Sequence, residues 1–113
     1  MTGEPLTIDW LGASGRSYRY WIYPVGTAFV RAPGNYVYAK ELDRSQGHWS
    51  PISIGECEDL SVEFSGYREK SRIATSGATH VHVHQAHEGL QSRLSEETDI
   101  SQKWKAPPTR ADL

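Results

Sequence analysis

The chain has 113 residues, a length that supports one hydrophobic core and makes a single domain the default expectation. Apolar residues make up 37% of it, including four tryptophans and six tyrosines, and this composition argues against disorder of the whole chain. Twelve lysines and arginines stand against 14 aspartates and glutamates, and this net charge of −2 argues against strong non-specific binding to nucleic acid.

The first half of the chain predicts two β-hairpins. Residues 6–11 and 17–25 are rich in aromatic and β-branched types, and the run Gly12-Ala13-Ser14-Gly15 between them has the composition of a turn. Two more strand candidates follow, NYVYAKEL from position 35 and WSPISIGE from position 49. We expect these two strands to pair with each other.

The next helix is predicted behind two acidic residues. Glu58 and Asp59 suit a helix N-terminus, and Leu60, Phe64 and Tyr67 then recur at helical spacing. A second helix is predicted over residues 87–104, which contain no proline and end before Pro107-Pro108.

A strand with a regular alternation lies between the two predicted helices. Its period of two places His80, His82 and His84 on one face and Val81 and Val83 on the other. We expect the valines to pack against a helix. The sequence therefore predicts an α+β fold in which a small antiparallel sheet is flanked by helices.

Compartment signals are few. No run of about 18 apolar residues occurs, and the first residues, MTGEPLTID, are acidic and polar, so we expect no membrane partner and a cytoplasmic protein. The lone Cys57 cannot form an internal disulfide, and it excludes a cysteine-rich zinc site.

The order of the predicted elements resembles the GIY-YIG nuclease domain. In that family a strand with Gly-x-Tyr and a strand with Tyr-Ile-Gly precede a helix, a further strand and a helix with a glutamate. Gly34-Asn35-Tyr36 resembles the first motif, Ser53-Ile54-Gly55 resembles the second, and Glu97 lies where the glutamate is expected. The resemblance divides the chain into an N-terminal β-hairpin extension (1–32), a GIY-YIG-like core (33–104) and a C-terminal tail (105–113).

The resemblance implies an incomplete catalytic site. The family uses a tyrosine to help deprotonate water, an arginine to hold the phosphate charge and a glutamate to bind one divalent metal. Tyr36 and Glu97 match the first tyrosine and the glutamate, but Ser53 replaces the second tyrosine and Glu63 replaces the arginine. The family's histidine falls on Tyr67. Because a carboxylate repels phosphate, the resemblance implies a catalytically degenerate domain that needs no cofactor.

Two functions follow from this comparison. The first is a binding or interaction module for an unknown protein partner or, weakly, for nucleic acid, with Arg68, Arg72 and Arg110 as candidate binding residues. The alternative is an active phosphodiesterase that uses Mg²⁺ or Mn²⁺ in a rearranged site, where Arg68 or Arg72 supplies the missing cation. The basic pair Arg16 and Arg19 is interpreted as a solvated charged surface.

Three of the matched residues have structural alternatives. On a helical wheel Glu97 lies inside the apolar stripe of the last helix and Glu96 lies outside it; the stripe consists of Leu90, Leu94, Ile100 and Trp104. A carboxylate in that place needs a partner, a cleft or a metal, unless it reaches solvent at the helix edge. Glu63 is expected to be an exposed helix carboxylate, and Tyr36 is either a functional hydroxyl or a half-buried sheet aromatic.

The histidine strand is the other candidate site. Alternate strand positions put imidazoles roughly 6.5–7 Å apart, so two of His80, His82 and His84 could share a metal, with His87 as a further nitrogen. The nearby chain offers one carboxylate, Glu88, and no cysteine, so we expect no tight zinc site. The structural alternative is an exposed strand face that tolerates polar aromatic side chains.

Overall fold

The computed structural model describes residues 6–43, 48–65, 77–86 and 89–105. Its strands and helices are β1 (Thr7–Leu11), β2 (Ser17–Pro24), β3 (Gly34–Asp43), β4 (His48–Cys57), α1 (Leu60–Glu63), β5 (His80–Gln85) and α2 (Leu90–Trp104). The α+β class and both hairpins are confirmed. In these ranges no helix has the length and apolar character required to cross a bilayer.

One antiparallel sheet contains all five strands, in the order β1-β2-β5-β3-β4. The last of the described strands, β5, lies in the middle of the sheet, where Val83 is opposite Trp21 of β2 and Tyr36 of β3. The pairing of β2 with β5 therefore joins the N-terminal hairpin to the rest of the sheet. The division of the chain at residue 32 stays a prediction.

One face of the sheet carries the first core cluster. Val81 and Val83 are buried there, as predicted, and they belong to the same cluster as Leu60 of α1. The other buried members are Tyr36, Tyr38, Cys57, Phe64 and Ala78. This face is called the tyrosine face below.

The opposite face carries the histidines and packs against α2. Its core cluster consists of Trp10, Tyr20, Val37, Ile54 and Ile100. His82 is fully buried on this face, so the expectation of an exposed histidine strand is wrong. The reason is that α2 and the rings of Trp10 and Trp49 cover the middle of the sheet. This face is called the histidine face.

Gly55 allows an aromatic ring to cross the neighbouring strand. It is paired with Tyr36, and a Cβ at position 55 would lie 2.5 Å from the Cζ and Oη atoms of Tyr36. We therefore expect Gly55→Ala to lower the free energy of unfolding in urea by about 1–3 kcal/mol, because the ring must move. The same change should cost clearly less in a Tyr36→Ala background. Equal costs in the two backgrounds would contradict this account of Gly55.

Candidate functional site

Tyr36 is part of the core and has a carboxylate partner. Its side chain is 1% exposed, and its hydroxyl donates to Oε2 of Glu63 at 2.8 Å. The ring of Phe64 packs edge-on against that of Tyr36, with 4.9 Å between the centroids. Glu63 is therefore half-buried, and the expectation that it is an exposed carboxylate is wrong. The cause is the short α1, which brings its last residue onto the tyrosine face.

The sheet separates Tyr36 from Glu97. Asn35 and Val37 face α2, since the Asn35 Nδ2 donates to the backbone oxygen of Arg93 at 2.9 Å and Val37 clusters with Ile100. Strand alternation puts Tyr36 on the opposite face. Glu97 is buried on α2, so the two residues that match the family do not share a cleft.

The remaining predicted residues divide into two groups. Ser53 is opposite Tyr38 on β4, and is therefore on the tyrosine face with Tyr36. The other predicted positions, Tyr67, Arg68, Arg72, His87 and Arg110, lie outside the described residues.

Three of the four buried residues of α2 are charged. The buried stripe consists of Arg93, Glu96, Glu97 and Ile100, whereas Leu90 and Trp104 are each about two-fifths exposed. The expectation that Glu96 lies outside the buried stripe is wrong, because the helix is rotated relative to its apolar pattern. Glu96 accepts a hydrogen bond from the Tyr20 hydroxyl at 2.6 Å, and the same oxygen lies 2.8 Å from Nδ1 of His84.

Glu96 and His84 line a groove between β2 and α2. It opens beside Ser17–Arg19, where β2 continues past its last residue paired with β5, and has a volume of about 490 Å³. The side chain of His84 is 28% exposed. The lining residues are Arg16, Ser17, Tyr18, Arg19, His84, Gln91, Ser92, Ser95 and Glu96. This is called the β2–α2 groove.

The groove has a buried negative charge and a positive rim. Burial, and then the charge of Glu96, raise the pKa of Tyr20 well above its usual value, so Tyr20 remains a neutral donor to that carboxylate. At the rim the guanidinium of Arg16 lies over the ring of Tyr18, 5.8 Å from its centroid. Arg19 pairs with Asp9 at 3.1 Å, and strand alternation puts both side chains on the sheet face opposite Tyr18 and Tyr20. The exposed charge at this rim is therefore that of Arg16.

The three histidines of β5 lie in three different environments. Nδ1 of His82 accepts from Trp10 Nε1 at 3.0 Å, and His80 packs edge-on against Trp49, whereas His84 contacts Glu96. In the described ranges no three possible ligands come close enough together to hold a metal. The absence of a tight zinc site stays a prediction, since His87 and Glu88 lie outside those ranges.

Burial keeps His82 neutral. Desolvation, and then the nearby His80, lower the pKa of His82 to about 3. Because its Nδ1 accepts from Trp10, Nε2 carries the proton; this atom is buried, and within the described residues it has no hydrogen-bond partner. The ring is nearly perpendicular to that of Trp49, with centroids 4.7 Å apart, a geometry in which an aromatic face can accept a weak N–H contact.

Sequence reasoning missed the partners of these histidines. Tyr20 of β2 shares the Glu96 carboxylate with His84, and Trp10 of β1 donates to His82. The available signal was the alternation of β2, which puts Tyr18 and Tyr20 on the same face. That pattern identifies a shared face, but it does not say which strand lies alongside.

Comparisons of the chain with protein-family models, with curated proteins and with solved structures find no match. The fold and the groove therefore define the class on their own: a small α+β domain with one antiparallel sheet. The resemblance to the GIY-YIG family depends on short motifs and on the order of the elements.

Proposed function

We propose that this protein is a binding module built on a catalytically degenerate GIY-YIG-like domain, and that it does not cleave phosphodiesters. The observation that supports this most strongly is the separation of Tyr36 and Glu97 by the thickness of the sheet. A metal held by Glu97 would lie on the histidine face, and the Tyr36 hydroxyl on the tyrosine face. One phosphate group could not contact both.

The contact between Tyr36 and Glu63 adds to this argument. The resemblance implies an arginine at position 63, and losing one group that stabilises developing charge typically costs about 3–4 kcal/mol of transition-state stabilisation. Here the carboxylate also accepts the hydrogen bond of the tyrosine that would act on water. Both groups are thus satisfied by each other, and their role is in packing.

The prediction is that the protein cuts no nucleic acid. We would incubate it with branched, single-stranded and duplex DNA and RNA in the presence of Mg²⁺ or Mn²⁺, and we expect no cleavage. Metal-dependent cleavage that disappears on Glu97→Ala would establish the alternative, an active phosphodiesterase. Cleavage that disappears on His84→Ala would do the same and would locate its site in the β2–α2 groove.

A double variant tests the placement of the residues. Ser53→Tyr with Glu63→Arg restores the two family groups that the sequence lacks. Both positions belong to the tyrosine face, away from Glu97, so we expect the double variant to remain inactive. A gain of metal-dependent cleavage would show that the positions converge on one site and would contradict the proposal.

A further inference from the structure

The β2–α2 groove is rich in hydrogen-bond donors. Its described lining includes the guanidinium of Arg16, the imidazole of His84, the hydroxyls of Ser92 and Ser95 and the side-chain amide of Gln91. Its one carboxylate, Glu96, is buried and already engaged by Tyr20 and His84. A ligand in this groove thus meets donors and positive charge.

Glu96 and Tyr20 fix the orientation of His84. An ionised carboxylate only accepts hydrogen bonds, so the 2.8 Å contact makes Nδ1 of His84 the donor. The Nε2 edge of the imidazole consequently faces away from Glu96, and the exposed part of the ring lines the groove. Tyr20 donates to the same oxygen of Glu96. The buried residues Tyr20 and Glu96 therefore fix the orientation of the His84 imidazole.

Arg16 supplies the guanidinium of the groove. The guanidinium of Arg19 pairs with Asp9, and strand alternation puts that pair on the sheet face opposite Tyr18, so Arg19 is not part of the site. The guanidinium of Arg16 lies over the ring of Tyr18 at the rim of the groove. A guanidinium matches phosphate oxygens two at a time.

We propose that the β2–α2 groove binds a phosphate group through Arg16 and His84. This inference rests on the proposed binding module and names the chemistry of its ligand. A free phosphate, a phosphorylated small molecule and a nucleic-acid backbone present the same group, and the test separates them. Phosphate fits better than a metal cation because Arg16, the exposed charged side chain at the rim, is positive.

The test is an NMR titration of the ¹⁵N-labelled full chain. Inorganic phosphate, ribose 5-phosphate and a short single-stranded RNA are added separately, and the amide signals of Ser17, Ser92 and Ser95 are followed. We expect these signals to shift together with a Kd on the order of millimolar for inorganic phosphate. The tightest of the three ligands identifies the source of the phosphate group.

Matched variants decide whether the site is specific. Arg16→Gln and His84→Gln should each weaken phosphate binding by at least about fivefold, which is roughly 1 kcal/mol. Arg31→Gln removes another exposed arginine, outside the groove, and should leave the Kd unchanged. Equal weakening in all three variants would overturn the proposal, because it would show general attraction to surface charge.

Failure of this inference is distinguishable from failure of the proposed function. Absence of any shift in the groove up to about 20 mM phosphate would remove phosphate as the ligand. The proposal of a non-cleaving module would still stand, because it is tested by the cleavage panel. Cleavage of that panel, in contrast, would refute the module whatever the titration shows.

Discussion

Replacing Arg93 with methionine should lower the free energy of unfolding by about 3–5 kcal/mol. The Nε of Arg93 lies 2.8 Å from Oε1 of Glu56, and these side chains are only 4% and 12% exposed. Methionine keeps much of the side-chain volume. The Glu56 carboxylate, which is almost buried, then lacks its cation. The cost is therefore mainly that of an uncompensated buried charge, and chemical denaturation with urea measures it.

An exposed pair of the same chemistry provides the control for Arg93. Arg19 and Asp9 are 62% and 51% exposed, so Arg19→Met should cost no more than about 1 kcal/mol. Adding Glu56→Met to Arg93→Met should recover part of the lost stability, because both buried charges are then gone. If Arg93→Met and Arg19→Met had the same small effect, the contact between α2 and β4 would not stabilise the fold as described.

The sheet was predictable because its patterns are local. Both hairpins are marked by aromatic and β-branched runs with a turn composition or a polar loop between them, and the period of two in β5 predicts the burial of Val81 and Val83. Each of these signals lies within a few neighbouring residues. None of them depends on which distant strand becomes the neighbour.

The rotation of α2 could not be predicted from hydropathy. Arg93, Glu96, Glu97 and Ile100 have the spacing of a buried stripe, but three of the four are charged residues that are usually solvated. They are buried because partners on the sheet, such as Glu56 and Tyr20, satisfy them. Those partners are dozens of positions away in the sequence. Helix periodicity alone therefore predicted that a different face of α2 is buried.

The neighbours of the histidines depend on strand order. Trp10 and His82 are 72 residues apart and meet only because β2 lies between β1 and β5. The motifs predicted the order of the strands and helices along the chain, but not which face of the sheet each helix covers. For the same reason the resemblance implied one catalytic site that includes Tyr36 and Glu97, although the sheet separates the two residues.

The second large expected effect is a loss of folding stability at acidic pH. From about pH 7.5 to about pH 4.5 we expect the protein to lose about 2–3 kcal/mol of stability through His82 alone. Burial lowers the pKa of His82 to about 3 in the folded protein, whereas an unfolded histidine titrates near its ordinary value of about 6.5. Between these values the unfolded chain binds one more proton than the folded chain. Stability is therefore fully present above about pH 6.5 and falls as the pH decreases toward 3, by at most about 1.4 kcal/mol per pH unit.

The variant His82→Asn isolates this effect, because asparagine does not titrate and its Oδ1 takes the place of the Nδ1 that accepts from Trp10. The free energy of unfolding of His82→Asn should be lower than that of the wild type. Its dependence on pH between about pH 7.5 and 4.5 should be weaker, by an amount that corresponds to nearly one bound proton. Ile54→Val weakens the same core by about 1 kcal/mol without removing a titrating group, so it should keep the wild-type slope. Asp99, whose pKa is lowered by hydrogen bonds from Ser14, loses its contribution mainly below about pH 4 and does so in all three proteins. Parallel stability curves for the wild type and His82→Asn would mean that His82 takes up a proton inside the folded core, contrary to its burial between Trp10 and Trp49.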